Sequence, residues 1–70
     1  MKKTKEFRWR LKTARKAAQM TQTELAKKAG LRQATISDYE IGRLTPSVKT
    51  LTNLASVLCV SVDWLLGIDK

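Results

Sequence analysis

The stretch TQTELAKKAGLRQATISDYEIG, residues 21–42, decides how this chain folds. Thr21 is followed three residues later by Glu24. That spacing has the form of a capping box, in which the threonine hydroxyl accepts from the backbone of the first turn and the glutamate reaches back to the threonine amide. A helix therefore starts at Gln22, carries Leu25, Ala26 and Ala29 on its inner face, and stops at Gly30, the residue best able to take a left-handed conformation. After the Gly30-Leu31 turn, Ile36 and Tyr39 stand on the inner face of the next helix, residues 33–41, which ends near Gly42. Two short helices cross steeply only where the facing surface is small and the turn tolerates an unusual backbone angle. Ala26 and Gly30 meet those needs, and Ile36 and Tyr39 seal the core behind them.

The flanks follow the same three- and four-residue spacing of apolar groups, with no sustained alternation of the kind strands show. Upstream, a helix over residues 5–19 places Phe7, Leu11, Ala14 and Ala18 on one stripe and Arg8, Lys12 and Lys16 on another. Downstream, residues 43–46 read as a loop. Ser47 caps a fourth helix carrying Val48, Leu51, Leu54, Ala55 and Leu58, the main core helix. Ser61 caps a last short helix with Val62, Trp64, Leu65 and Leu66, closed by Gly67. The expected fold class is all-α, with five compact helices in a single domain over residues 1–70.

Charge narrows the function. The chain has 14 Lys or Arg against 6 Asp or Glu, a formal net charge of +8. Residues 1–49 hold 13 basic and 4 acidic groups, whereas residues 50–70 hold 1 basic and 2 acidic, so the surplus sits at one end. That is an electrostatic footprint for a polyanion, or a solvated lysine-rich face. Without histidine, and with Cys59 as the single cysteine, the chain has no Cys/His metal cage and no internal disulfide, and a cytoplasmic location is expected. No glycine-rich phosphate loop and no paired carboxylates suggest an enzyme, a cofactor or a metal. The basic start, residues 1–5, reads as a flexible arm for phosphates or a solubilising end. Trp9 falls off the apolar stripe, marking a partner surface or covering the core edge.

With these residues in place, the chain resembles the Cro/CI-type (XRE-type, lambda-repressor-like) helix-turn-helix DNA-binding domains over residues 7–66. The carriers are Arg15, MTQTELAKKAG (residues 20–30), ATISDYEIGR (residues 34–43), Pro46, TLTNLA (residues 50–55) and VSVDWLLG (residues 60–67). The resemblance implies a five-helix lambda-repressor-like fold whose third helix enters the major groove of duplex DNA while the second lies across the phosphate backbone. It implies base readout by Arg32, Gln33, Ala34, Thr35, Ser37 and Asp38, with Gln33 suited to adenine, Ala34 or the Thr35 methyl to thymine, and Arg32 to guanine or a phosphate. Asp38 would accept from a cytosine amino group or pair with a nearby cation. Gln22 resembles the family's phosphate-holding glutamine, with Thr23, Arg43 and Lys49 as further phosphate contacts. Arg15 and Glu40 match the family's interior ion pair.

Three positions depart from the family pattern. Arg32 replaces a small hydroxyl residue before the recognition helix, which forfeits a cap and suggests retention for DNA contact. Ile41 stands where asparagine is frequent. Cys59 stands where glycine is common and reads as a small buried thiol. The function implied is a sequence-specific transcriptional regulator, a repressor acting as a homodimer on an inverted-repeat operator, cytoplasmic and nucleoid-associated, with the apolar residues 60–68 as candidate interface. The alternative is an antitoxin-type protein-interaction module that also binds its own promoter.

Overall fold

The structure, a computed structural model, describes residues 3–68, with side chains from residue 6 onward. Among the described residues it comprises five helices and no strand: α1 (Lys3–Ala17), α2 (Gln22–Ala29), α3 (Gln33–Glu40), α4 (Val48–Leu58) and α5 (Val62–Leu66). Three helix starts are fixed by the expected side chains. Thr21 Oγ1 accepts from the Glu24 amide at 3.0 Å and Glu24 Oε1 accepts from the Thr21 amide at 2.8 Å, completing the box. Ser47 accepts from the Thr50 amide and Ser61 from the Trp64 amide.

The core draws on every helix. Phe7 and Leu11 of α1, Leu25 of α2, Ile36 of α3, Leu54 of α4 and Leu65 of α5 are fully enclosed. Phe7 meets Tyr39 edge to face, with ring centroids 5.9 Å apart. Burial of Tyr39 pushes its phenol above the ordinary value. Asn53 of α4 donates to the Ala29 carbonyl at 2.8 Å, satisfying the open end of α2. Arg10 ties α5 to α1: it donates to Glu6 Oε1 and to the Trp64 carbonyl, both at 3.0 Å, and lies over the Trp64 ring.

The structure departs from several sequence expectations. α1 starts at Lys3 and ends at Ala17, earlier than residue 19, because Gln19 takes φ 60 and closes the helix. Ala18 consequently leaves the core stripe and is exposed. Of the arm expected over residues 1–5, residues 3–5 form the first turn of α1, and residues 1 and 2 lie outside the described residues. α3 ends at Glu40, not at Ile41. Val48 is 79% exposed, because as the first residue of α4 it precedes the face that Leu51 and Leu54 turn inward. Cys59 is exposed, with φ 59, since it closes α4 in the left-handed conformation instead of packing inside. Trp9 is 48% exposed, with the Arg10 guanidinium 4.9 Å from its ring.

Candidate nucleic-acid interface

The geometry of the α2–α3 pair follows from its turn. Gly30 takes φ 70, its amide bonds the Lys27 carbonyl and the Leu31 amide bonds the Ala26 carbonyl, so α2 closes and the chain enters α3 after three residues. The buried methyls of Ala26 and Ala29 let the helices approach, while Ile36 and Tyr39 anchor α3. With that face inward, α3 turns its first residues out: Arg32, Gln33 and Ala34 are exposed, and Thr35, Ser37 and Asp38 are half-buried. Arg32 sits at the N-cap of α3 with φ −90 and ψ 150 and makes no side-chain cap bond, as expected of an arginine there.

A chain of hydrogen bonds runs beneath this turn. Arg15 donates from Nε to Glu40 Oε2 at 2.7 Å, from Nη2 to Glu40 Oε1 at 3.2 Å, and from Nη1 to the Met20 carbonyl at 2.8 Å. The pair is enclosed, with the two side chains 10% and 3% exposed. Gln22 Nε2 donates to Glu40 Oε1 at 3.0 Å, and Gln33 Nε2 donates to Gln22 Oε1 at 2.6 Å. One connected network thus joins the interior ion pair, the first residue of α2 and the first residue of α3. Sequence reasoning named all four residues and paired Arg15 with Glu40, but not the links through Gln22 and Gln33. A signal was present: both glutamines occupy the first position of their helices, and the tight turn brings those first turns together.

The remaining candidates are distributed more loosely. Asp38 and Arg43 approach at 4.0 Å, with side chains 34% and 73% exposed, so the carboxylate has a cation nearby. So exposed a pair contributes little to stability and leaves Arg43 able to reach outward. Thr23 and Lys49 are exposed in the first turns of α2 and α4, where helix N-termini favour anions. Arg8 covers the exit of α3, donating to the Ile41 carbonyl at 3.4 Å; a side chain at Gly42, which has φ 83, would meet its guanidinium at 2.7 Å.

Two short helices crossing at a glycine turn, the second offering its polar first turn to solvent beside a surplus of positive charge, define a helix-turn-helix domain. The helix-turn-helix family model matches residues 11–65, and the chain belongs to that family, of the Cro/CI (XRE) type. Among curated relatives it is similar to the "Uncharacterized HTH-type transcriptional regulator YqaE" of Bacillus subtilis (strain 168), 40% identical over 60 residues, covering 86% of this chain and 52% of that protein. It is 38% identical over 58 residues to the immunity repressor protein of Bacillus phage phi105, covering 83% of this chain and 40% of that protein. An HTH-type transcriptional regulator of Archaeoglobus fulgidus is 36% identical over 64 residues, covering 91% of this chain and 90% of its own length. The chain spans about half the length of the first two Bacillus subtilis relatives it matches. No helix among the described residues is long and apolar enough to cross a membrane.

Proposed function

We propose that this chain is a sequence-specific transcriptional regulator, a repressor, that reads duplex DNA in the major groove with the first turn of α3. The reading rests above all on the Gln22–Gln33 bond at 2.6 Å, which puts a phosphate-binding and a base-reading side chain side by side at the mouths of two helices. Arg32, Gln33, Ala34, Thr35, Ser37 and Asp38 face the bases. Gln22, Thr23, Arg43 and Lys49 hold phosphates, and the +8 net charge supplies affinity through counterion release. Likeness to a phage immunity repressor supports the repressor role.

One copy reads too few base pairs for selectivity in a genome, so two copies bind an inverted repeat with half-sites about 34 Å apart. The face that joins them is apolar and partly open. Val60, Val62, Trp64 and Leu66 are half-buried, Ile68 is 44% exposed, and a groove of about 310 Å³ lies between α1 and the α4–α5 end, floored by Ala14, Ala17 and Leu58. The protein acts in the cytoplasm, at the nucleoid.

The test is selection from a randomised duplex DNA pool at moderate salt. Enrichment of an inverted repeat with half-sites one helical turn apart is the expected result. Salt-sensitive retention of DNA without enrichment of any sequence would refute base reading by this chain.

A further inference from the structure

We propose that Glu40, which touches no DNA in this reading, sets the polarity of the Gln22–Gln33 amides and thereby selects adenine over guanine at the base that Gln33 meets. The inference rests on the assignment of Gln33 as a base-reading residue, and the test below separates the two.

The argument is a count of donors and acceptors. Paired with the Arg15 guanidinium at 2.7 Å and enclosed at 3% exposure, Glu40 is a carboxylate and accepts only. A primary amide beside it must present its NH2 group, and Gln22 does so, with Nε2 at 3.0 Å from Glu40 Oε1. The carbonyl of Gln22 therefore points away from Glu40. That carbonyl is an acceptor, so Gln33 in turn must present its own NH2, at 2.6 Å. One amide hydrogen of Gln33 is committed to Gln22. Its Oε1 and one remaining hydrogen are left for a base.

That outward pair has a chemical meaning. In the major groove adenine offers an N7 acceptor beside an N6 amino donor, which one amide hydrogen and one carbonyl oxygen satisfy together. Guanine offers two acceptors, N7 and O6, and calls for two donors. Gln33, with one hydrogen held by Gln22, lacks the second donor and would set its carbonyl against O6. Arg15 and Glu40 are thus positioning residues for specificity as well as parts of the interior.

Replacing the carboxylate reverses the logic. In Glu40→Gln, a carbonyl kept against Arg15 Nε, the shorter of the two contacts, turns the new NH2 group toward Gln22 and gives up the longer bond from Arg15 Nη2. Gln22 must then offer its carbonyl to residue 40 and its NH2 to Gln33. Gln33 answers with its carbonyl and turns both amide hydrogens outward, the edge that fits guanine.

Selection from the same randomised duplex pool, run in parallel on the unaltered chain and on Gln33→Ala, Glu40→Gln and Gln22→Met, reads this directly. Gln33→Ala identifies the position, as the operator base whose preference it flattens. At that base, the adenine-to-guanine ratio is expected to fall about fivefold or more in Glu40→Gln, the low end of what a bidentate contact discriminates. Gln22→Met, which breaks the relay without unpairing Arg15, is expected to lose the same preference while other positions keep theirs. Helical circular dichroism reports folding of each variant, and if Glu40→Gln does not fold, Gln22→Met decides. A folded Glu40→Gln or Gln22→Met that retains the original ratio at the base flattened by Gln33→Ala overturns the relay and leaves Gln33 as reader. If Gln33→Ala flattens no position, the reading of Gln33 itself is overturned.

Discussion

Arg15 and Lys16 are neighbours in sequence with opposite physical circumstances. Arg15 is 8% exposed and gives three hydrogen bonds to Glu40 and Met20, whereas Lys16 is exposed on the other side of α1. A buried ion pair is weak grounds for net stability, because both charges were desolvated to form it. Removing only one partner is a different matter, since the other is left buried without its counter-charge. Arg15→Ala strands Glu40 with Gln22 as its remaining side-chain donor and is expected to cost about 3 to 5 kcal/mol. Lys16→Ala is expected to stay within about 0.5 kcal/mol. In a chain of this size the difference separates the thermal midpoints by more than about 10 °C, and equal midpoints in a melting experiment refute the assignment.

The five helices all close by the same device, in which a residue one or two positions past the helix takes a left-handed conformation and two backbone amides fold back onto the last carbonyls. Gly30, Gly42 and Gly67 occupy that place after α2, α3 and α5, and Gln19 and Cys59 occupy it after α1 and α4, with φ 60 and φ 59. Cys59→Gly is expected to gain about 0.5 to 1 kcal/mol by relieving the left-handed Cβ, with operator binding unchanged. Arg32→Ser supplies α3 with its missing N-cap and is expected to gain about 1 kcal/mol, both changes being read by urea titration. It also removes a cation from the proposed DNA face, so the slope of log affinity against log salt should shrink by about one. An Arg32→Ser protein that keeps the original slope and affinity places Arg32 away from DNA. These ends also show what the sequence made legible. Caps are local, so Thr21 with Glu24, Ser47, Ser61 and the glycine stops could be read directly from spacing. Gln19 and Cys59 carry no such local signal, so spacing alone carries α1 to residue 19 and makes Cys59 read as a buried thiol. The Gln22–Gln33 and Arg10–Trp64 contacts join residues 11 and 54 positions apart, and no periodicity within one helix encodes them.

At the scale of the molecule, the question is how a body this small would cover the proposed inverted repeat. The described fold measures 29 × 23 × 21 Å. Two copies centred about 34 Å apart on one face of DNA, the repeat of the double helix, are separated by little more than their own width plus side chains. That spacing brings two copies within reach of each other, and the surplus of positive charge in residues 1–49 argues against using the basic half for the contact. The apolar residues around Trp64 and Ile68, in the segment that lacks this surplus, are the surface left for the purpose. Spacing then becomes the measurement. Inserting about 5 base pairs between half-sites turns the second one to the opposite face of the duplex, and inserting about 10 restores the face but doubles the distance. If the two copies bind as a contacting pair, both insertions remove the linked second binding event, and affinity should fall on the order of a hundredfold toward that of a single half-site. Copies that bind independently would show the same affinity on all three duplexes in a fluorescence anisotropy titration. Recovery with 10 but not 5 inserted base pairs would instead require a connection longer than the contacting pair allows, and would count against the α5 face as the link.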